Sequence, residues 1–309
     1  MSTIKLGTRG SKLALWQAYF IKETLEKGGL SVEIVIINTK GDQILDRSLS
    51  KIGSKGVFTE ELEEKLRSGE IDIAQHSAKD LQSELAEDLA LIAFTEREKV
   101  NDVLVSFNKN ISLESGEPFV VGTSSTRRVA MLKHFYPHIH TADMRGNLQT
   151  RLAKLESGVC DALLLAYAGV HRMGYEEHIA ELISLDTFTP AVGQGSVAIE
   201  CAASLDAEKK AKIRALCNHP ETEQQLLAER AYLRRLQGGC SIPVFGLAQP
   251  TENNELAMTG GIISLDGKEI LKETITGTDA VAVGEALAEK ILSLGGDRIL
   301  KDIRAGLNN

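Results

Sequence analysis

Six arginines stand where an anion would meet them. Arg9, Arg127, Arg128, Arg145, Arg151 and Arg172 lie at or near junctions between strand-like and helix-like runs, or beside glycine turns. A guanidinium offers a planar fork whose two N–H donors match the two oxygens of a carboxylate or phosphate. A single arginine is ordinarily a solvated surface residue, but six in these settings point to an anion site. No Gly-x-x-x-x-Gly-Lys-Ser/Thr run occurs, which argues against a P-loop nucleotide site.

Two other places carry chemistry. His76-Ser77-Ala78-Lys79-Asp80 follows an apolar strand-like run, and residues beyond the C-terminal end of a parallel strand face a ligand crevice. Asp80 suits a general acid or base with Lys79 setting its charge state, or a helix-capping carboxylate beside an exposed lysine. His76 and Ser77 are adjacent, so on a strand they point to opposite faces, and no Gly-x-Ser-x-Gly elbow is present; a serine hydrolase is disfavoured. Cys240 follows Gly238-Gly239 in a turn that leaves its sulfur approachable, with Arg234 and Arg235 on the preceding helical run to favour the thiolate. Cys160, Cys201 and Cys217 sit in apolar or helical text and read as small core residues. The four cysteines form no CxxC pair and no zinc spacing with histidine, so free thiols in a reducing cytoplasm are expected.

The elements that must position these residues alternate between strand and helix, which predicts an α/β fold with much parallel sheet. Residues 4–8 read as a strand, and Ser11 caps a helix to about residue 27. Residues 32–37 and 71–74 read as strands around a helix at 58–67. The polar stretch 39–56, which contains Lys51 and Lys55, reads as a mobile lid. A short repeat is visible. Leu6-Gly7-Thr8-Arg9-Gly10-Ser11 matches Val121-Gly122-Thr123-Ser124-Ser125-Thr126, and Leu66-Arg67-Ser68-Gly69-Glu70-Ile71-Asp72 matches Leu155-Glu156-Ser157-Gly158-Val159-Cys160-Asp161. Two lobes of like topology follow, each presenting a helix N-terminus, which attracts anions, to a cleft between them. Thr189 to Gly195 reads as a crossing segment, and residues 197–201 as a strand returning to the first lobe. Beyond it come a helix at 221–236, strands near 242–248, 255–264 and 269–276 with an Asp266-Gly267 hairpin turn, and a helix at 279–294. The expected division is a first lobe at 1–97 and 196–216, a second lobe at 98–195, and a small α+β domain at 217–309.

The 309 residues exceed one ordinary core, and 43% hydrophobic with 25% charged residues is a globular mix. A net charge of −8 disfavours nucleic acid as a bulk partner. Residues 1–15 lack the uninterrupted apolar run of a signal peptide, and no stretch has transmembrane length, so no membrane partner is expected.

Taken together, these motifs resemble the porphobilinogen deaminase (hydroxymethylbilane synthase) family along essentially the whole chain. The carriers are Gly7-Thr8-Arg9-Gly10-Ser11-Lys12-Leu13-Ala14-Leu15-Trp16-Gln17, His76-Ser77-Ala78-Lys79-Asp80, Gly122-Thr123-Ser124-Ser125-Thr126-Arg127-Arg128, Arg145-Gly146-Asn147 with Arg151, Pro190-Ala191-Val192-Gly193-Gln194-Gly195 and Gly239-Cys240. The resemblance implies two lobes like those of periplasmic binding proteins plus a third domain, in a cytoplasmic monomer. It implies a transferase of tetrapyrrole and heme biosynthesis that joins four porphobilinogen molecules head to tail with release of ammonia, on a dipyrromethane primer. That cofactor would be held by a thioether to Cys240, with Asp80 as the catalytic carboxylate. Lys79, Thr123, Ser125, Arg127 and Arg128 would bind the cofactor; Arg9, Ser11, Ser77, Arg145, Arg151 and Arg172 would bind substrate; no metal is implied. Ala78 stands where Met is expected and Gln82 where Pro is expected, which puts the loop shape beside Asp80 in question; His171, where Lys is usual before Arg172, is a milder departure. The rival readings are a two-lobed solute receptor and a cysteine hydrolase.

Overall fold

The computed structural model describes residues 3–43, 58–239 and 241–307. They divide into two compact units. One runs to Glu98 and resumes for Gly195–Gln224; the other holds Lys99–Gln194 and the chain from Gln225 onward.

In the first unit, β1 (Ile4–Thr8) leads into α1 (Lys12–Lys27), followed by β2 (Val32–Ile36), α2 (Glu60–Ser68), β3 (Ile73–Ser77) and β4 (Leu89–Phe94). Ser11 caps α1, its hydroxyl accepting from Ala14 N at 3.3 Å. Ala14, Ala18, Ile21 and Leu25 form one buried stripe of the helix, and the last three of these pack against Ile4, Leu6, Ile73 and Ile199. The sheet order is β2-β1-β3-β10-β4, where β10 (Val197–Ala202) is the returning strand. It inserts antiparallel between β3 and β4, so the sheet is mixed, with parallel pairing on the β2-β1-β3 side.

The second unit repeats this plan. Its strands are β5 (Asp102–Val105), β6 (Val120–Gly122), β7 (His140–Ala142), β8 (Ala162–Ala166) and β9 (Ile179–Leu182), in the order β7-β6-β8-β5-β9. Exchanging β1, β2, β3, β10 and β4 for β6, β7, β8, β5 and β9 reproduces the first sheet's order, and β5 is the antiparallel insertion. The helices are α3 (Thr126–Phe135), α4 (Leu148–Glu156) and α5 (Tyr167–Arg172). The repeated Ser-Gly-x-x-Asp text has a physical counterpart. Gly69 and Gly158 both end helices in the left-handed region, at φ 72° and 77°. Three residues later, Asp72 Oδ2 accepts from Lys5 N at 2.8 Å and Asp161 Oδ2 from Val120 N at 2.7 Å. In each lobe one carboxylate ties the start of β3 or β8 to the strand beside it.

Further helices are α6 (Ala207–Cys217) in the first unit, then α7 (Pro220–Arg235), which begins there and ends in the second, α8 (Ala280–Ile291) and α9 (Asp297–Leu307). The second unit also carries an antiparallel sheet of β11 (Val244–Pro250), β12 (Leu256–Ile263) and β13 (Ile270–Gly277). This small α+β layer has its own core of Tyr232, Met258, Ile262 and Leu287. Phe245 and Ile263 instead enter the core of the neighbouring lobe with Met131 and Phe188. The Asp266-Gly267 turn docks on α3, with Gly267 O 2.7 Å from His134 Nδ1. α6 and α9 had no counterpart among the expected elements.

Candidate active site

The predicted residues fall into two groups, one in each unit. In the first unit, Arg9, Ser11, Ser77 and Asp80 line one recess of about 80 Å³, together with Gln17, Phe58, Thr59, Gln75 and His76. The β1–α1 junction supplies Arg9 and Ser11. β3 runs on to Ser77, three residues beyond the expected end, and a 3₁₀ turn at Ala78–Asp80 brings the Asp80 carboxylate out, exposed, at the rim. Lys79 is half-buried in that turn. The Arg9 guanidinium lies over the Phe58 ring, 4.1 Å from its centroid, a cation–π contact that helps place the charge in this recess.

Two buried amides fix this geometry: Gln17, which the motif reading quoted without a role, and Gln75, which it did not include. Gln75 Nε2 donates to Thr8 Oγ1 at 2.6 Å and to Ala14 O at 3.0 Å, joining β3 to the β1–α1 junction. Gln17 Nε2 donates to Ser77 Oγ at 3.0 Å. His76 Nε2 lies 3.0 Å from Oε2 of the fully buried Glu200. His76 and Ser77 thus have separate partners, as opposite strand faces require. The two unexpected residues beside Asp80 are accommodated locally. Ala78 is buried, and Gln82 Nε2 donates to Glu63 Oε1 at 3.3 Å.

In the second unit the β6–α3 junction forms a recess of about 320 Å³ lined by Thr123, Ser124, Thr126, Thr141 and Asp143, among others. Ser125 caps α3, its hydroxyl accepting from Arg128 N at 3.5 Å, and Thr123 Oγ1 accepts from Ser125 N at 3.3 Å. Ser124 Oγ accepts from Met144 N at 3.0 Å and donates to Met144 O at 2.5 Å, which fixes the chain just before Arg145. Arg151 Nε donates to Gly146 O at 2.9 Å and Lys154 Nζ to Arg145 O at 3.1 Å. With its backbone held this way, Arg145 buries Nε and Nη2 without a protein acceptor among the described residues, and Gln149 Nε2 is in the same state. An unsatisfied buried donor is costly, and a ligand carboxylate would satisfy it. Arg172 is half-buried at the C-terminal end of α5, just before Gly174 at φ 70°.

Arg127 and Arg128 have a different setting from the one the sequence suggests. Both are buried, and both converge on Asp102, which has no exposure. Arg127 Nη2 donates to Oδ2 and Arg128 Nη2 to Oδ1, each at 2.7 Å. Arg127 Nη1 also donates to Thr189 O, and Arg128 Nη1 to Leu164 O, each at 3.0 Å. Burial opposes the Asp102 charge, but the two guanidinium groups outweigh it and hold the carboxyl well below the usual range. Burial likewise lowers the pKa of Arg127, against the attraction of Asp102. Sequence reasoning missed Asp102, although a lone acid heading the apolar run Val103-Leu104-Val105 is a signal for a paired buried charge.

Cys240, Lys51 and Lys55, with the expected lid, lie outside the described residues. Arg234 Nη2 is 3.6 Å from Glu285 and Arg235 Nε 2.5 Å from Glu289, so both arginines pair along α8. Cys160, Cys201 and Cys217 are buried free thiols, and burial pushes Cys217 up to about 12.

A family model described as "Porphobilinogen deaminase, dipyromethane cofactor binding domain" matches residues 4–210, and one described as "Porphobilinogen deaminase, C-terminal domain" matches residues 223–293. The chain belongs to the porphobilinogen deaminase family. It is 56% identical to the porphobilinogen deaminase of Cytophaga hutchinsonii, over 99% of this chain and 98% of that one. It is 51% identical to that of Desulfosudis oleivorans, over 97% and 98%. Among solved structures it is similar to the BvgS periplasmic VFT2 domain of Bordetella pertussis, with 17% identity, TM-score 0.40, and coverage of 69% of this chain and 85% of that one. The family resemblance read from the motifs therefore stands. The family's dipyrromethane group also suits the donors present, since its carboxylates match the orphaned nitrogens of Arg145 and Gln149.

Proposed function

We infer that the chain is a hydroxymethylbilane synthase, a transferase that couples four porphobilinogen molecules head to tail and releases ammonia at each addition. The observation that carries the site assignment is the shared recess of Arg9, Ser11, Ser77 and Asp80, where one exposed carboxylate and a guanidinium stacked on Phe58 line the same small cavity. Dipyrromethane, attached through Cys240, supplies the pyrrole carbon to which the units are added. Asp80 protonates the amine of porphobilinogen as its C–N bond breaks. The carboxylate so formed stabilises the positive charge on the substrate pyrrole through its N–H. After the new C–C bond forms, the same carboxylate takes up the proton displaced from the pyrrole carbon, which returns it to its starting state.

Arg9, Arg145, Arg151 and Arg172, with Ser11 and Ser77, receive acetate and propionate groups of substrate and growing chain. Lys79, Thr123, Ser125, Arg127 and Arg128 serve the cofactor. For Arg127 and Arg128 the Asp102 pairing favours holding the β6–α3 junction in shape as much as direct contact. Division into first lobe, second lobe and a cofactor-carrying domain from about residue 217 fits these roles, as do a monomer and a cytoplasmic location; no described helix is long and apolar enough to cross a membrane. The test is intact mass. The wild-type protein should carry an adduct of two porphobilinogen units less the ammonia lost, and Cys240→Ser should carry none. An adduct of normal mass on Cys240→Ser would remove that assignment.

A further inference from the structure

A buried chain of hydrogen bonds runs from Asp102 to the third sheet through the segment Thr189 to Gln194. Thr189 O accepts from Arg127 Nη1 at 3.0 Å, and Pro190 O accepts from Gly246 N in β11 at 3.0 Å. Val192 packs into the core of the α+β layer. Gly193 N donates to Glu229 Oε2 at 2.7 Å, and the other oxygen, Oε1, accepts from Ala248 N in β11 at 2.9 Å. Gln194 Nε2 donates to Val100 O at 2.7 Å and to Asp102 Oδ1 at 3.0 Å, the same oxygen that receives Arg128. Gly193 sits at φ 76°, a conformation that suits glycine and turns its N–H toward the carboxylate.

Glu229 has no exposure, and both of its oxygens are engaged with backbone N–H groups, so it does not meet substrate. It lies on α7, which ends at Arg235, and Gly238-Gly239-Cys240 follows shortly after in the sequence. One end of the hydrogen-bond chain therefore holds the arginine pair, and the other holds the element leading to the attachment cysteine. We propose that Glu229 and Gln194 are positioning residues that keep the arginine pair and the α7–β11 layer in register, so that a cofactor tethered at Cys240 meets the β6–α3 junction correctly. The proposal rests on the deaminase function above. Its physical basis is that catalysis by a tethered reactant depends steeply on placement, a shift of about 1 Å being able to cost about 100-fold in rate.

The experiment uses Glu229→Gln and Gln194→Met in the full-length holoenzyme. Glutamine at position 229 can accept from only one of the two N–H groups and turns a donor toward the other. Methionine at 194 keeps the length and approximate volume of the side chain and removes its donor. Each variant is assayed well below its melting midpoint, with turnover expressed per holo-protein molecule. Enzyme-bound pyrroles are counted by native mass spectrometry after addition of porphobilinogen. The expected result is a loss of about 10- to 100-fold in turnover, with the distribution of bound pyrroles shifted toward apo-protein and short chains. The double variant should lose little more than the worse single one, because both act on one segment.

If the variants melt earlier but the folded holo-protein turns over and loads pyrroles as the wild type does, the residues only stabilise the fold and the proposal is overturned. Fully additive losses in the double variant would also overturn it. Should Glu229→Gln fail to fold, Gln194→Met decides alone. Absence of a two-pyrrole adduct on the wild type would overturn the deaminase assignment and this proposal together, whereas a normal adduct with normal variants overturns only the positioning role.

Discussion

Arg128 and Asp102 form a buried ion pair, Nη2 to Oδ1 at 2.7 Å. Arg127 occupies the other carboxylate oxygen, so one acid holds two cations in the interior of the second unit. Removing the acid leaves two buried guanidinium groups without a counter-charge. Asp102→Ala should therefore cost about 3–5 kcal/mol of stability, measured as a fall in the urea midpoint.

The same pair sets an acid limit. The Asp102 carboxyl is held below its ordinary range in the folded state. Its contribution is complete above the unfolded pKa of about 3.9 and is lost as pH falls from there toward the folded value. Wild-type stability should thus drop below about pH 4 more steeply than that of Asp102→Asn, whose residue does not titrate. Parallel curves of unfolding midpoint against pH for the two proteins would refute this.

Asp80 is exposed at the rim of its recess, so its removal should spare the fold. Asp80→Asn should melt within a few degrees of the wild type and still bind porphobilinogen, while turnover falls by about 100-fold or more, the usual scale of a lost general acid–base group. Near-normal turnover with bound substrate would contradict the role.

Arg145 and Arg128 should separate in one experiment. Arg145 has buried donors without a protein acceptor among the described residues, whereas Arg128 donates to Asp102 and Leu164 O. Arg145→Leu should keep its melting midpoint and weaken porphobilinogen binding by about 1.5–3 kcal/mol, the range for a charge-assisted bond. Arg128→Leu should lower the midpoint itself and yield mostly apo-protein. Equal melting and equal bound-pyrrole distributions in the two variants would defeat the distinction.

Burial raises the Cys160 and Cys201 thiols above their ordinary range and pushes Cys217 up to about 12. A folded state that prefers the neutral thiol keeps that contribution below the unfolded pKa of about 8.5 and loses it as pH rises above it. Iodoacetamide at pH 8 should therefore leave all three unlabelled in the native protein and label all three after unfolding in urea. With the thioether in place, native holo-protein should take up no label at all. Native labelling at Cys217 would contradict its burial.

The sequence by itself determined the family, the lobe repeat and the identities of the chemical groups. The reason is local: a Ser cap, a left-handed glycine and a strand-to-helix turn are set by neighbours a few residues apart. Ser11, Gly69, Gly158 and Asp266-Gly267 accordingly all appear where their spacing predicts. The Asp72 and Asp161 contacts show the repeat extending to single hydrogen bonds. Partnership across long separations was decided only by the tertiary structure. Asp102 meets Arg127 and Arg128 about a quarter-hundred positions on, Gln194 reaches back to Asp102, and Gln75 reaches Thr8. A motif lists an arginine as a donor but cannot say whether a carboxylate from another strand has already claimed it. Burial makes that choice, because a charge removed from water must be paired wherever the packed sheet brings an acceptor within reach.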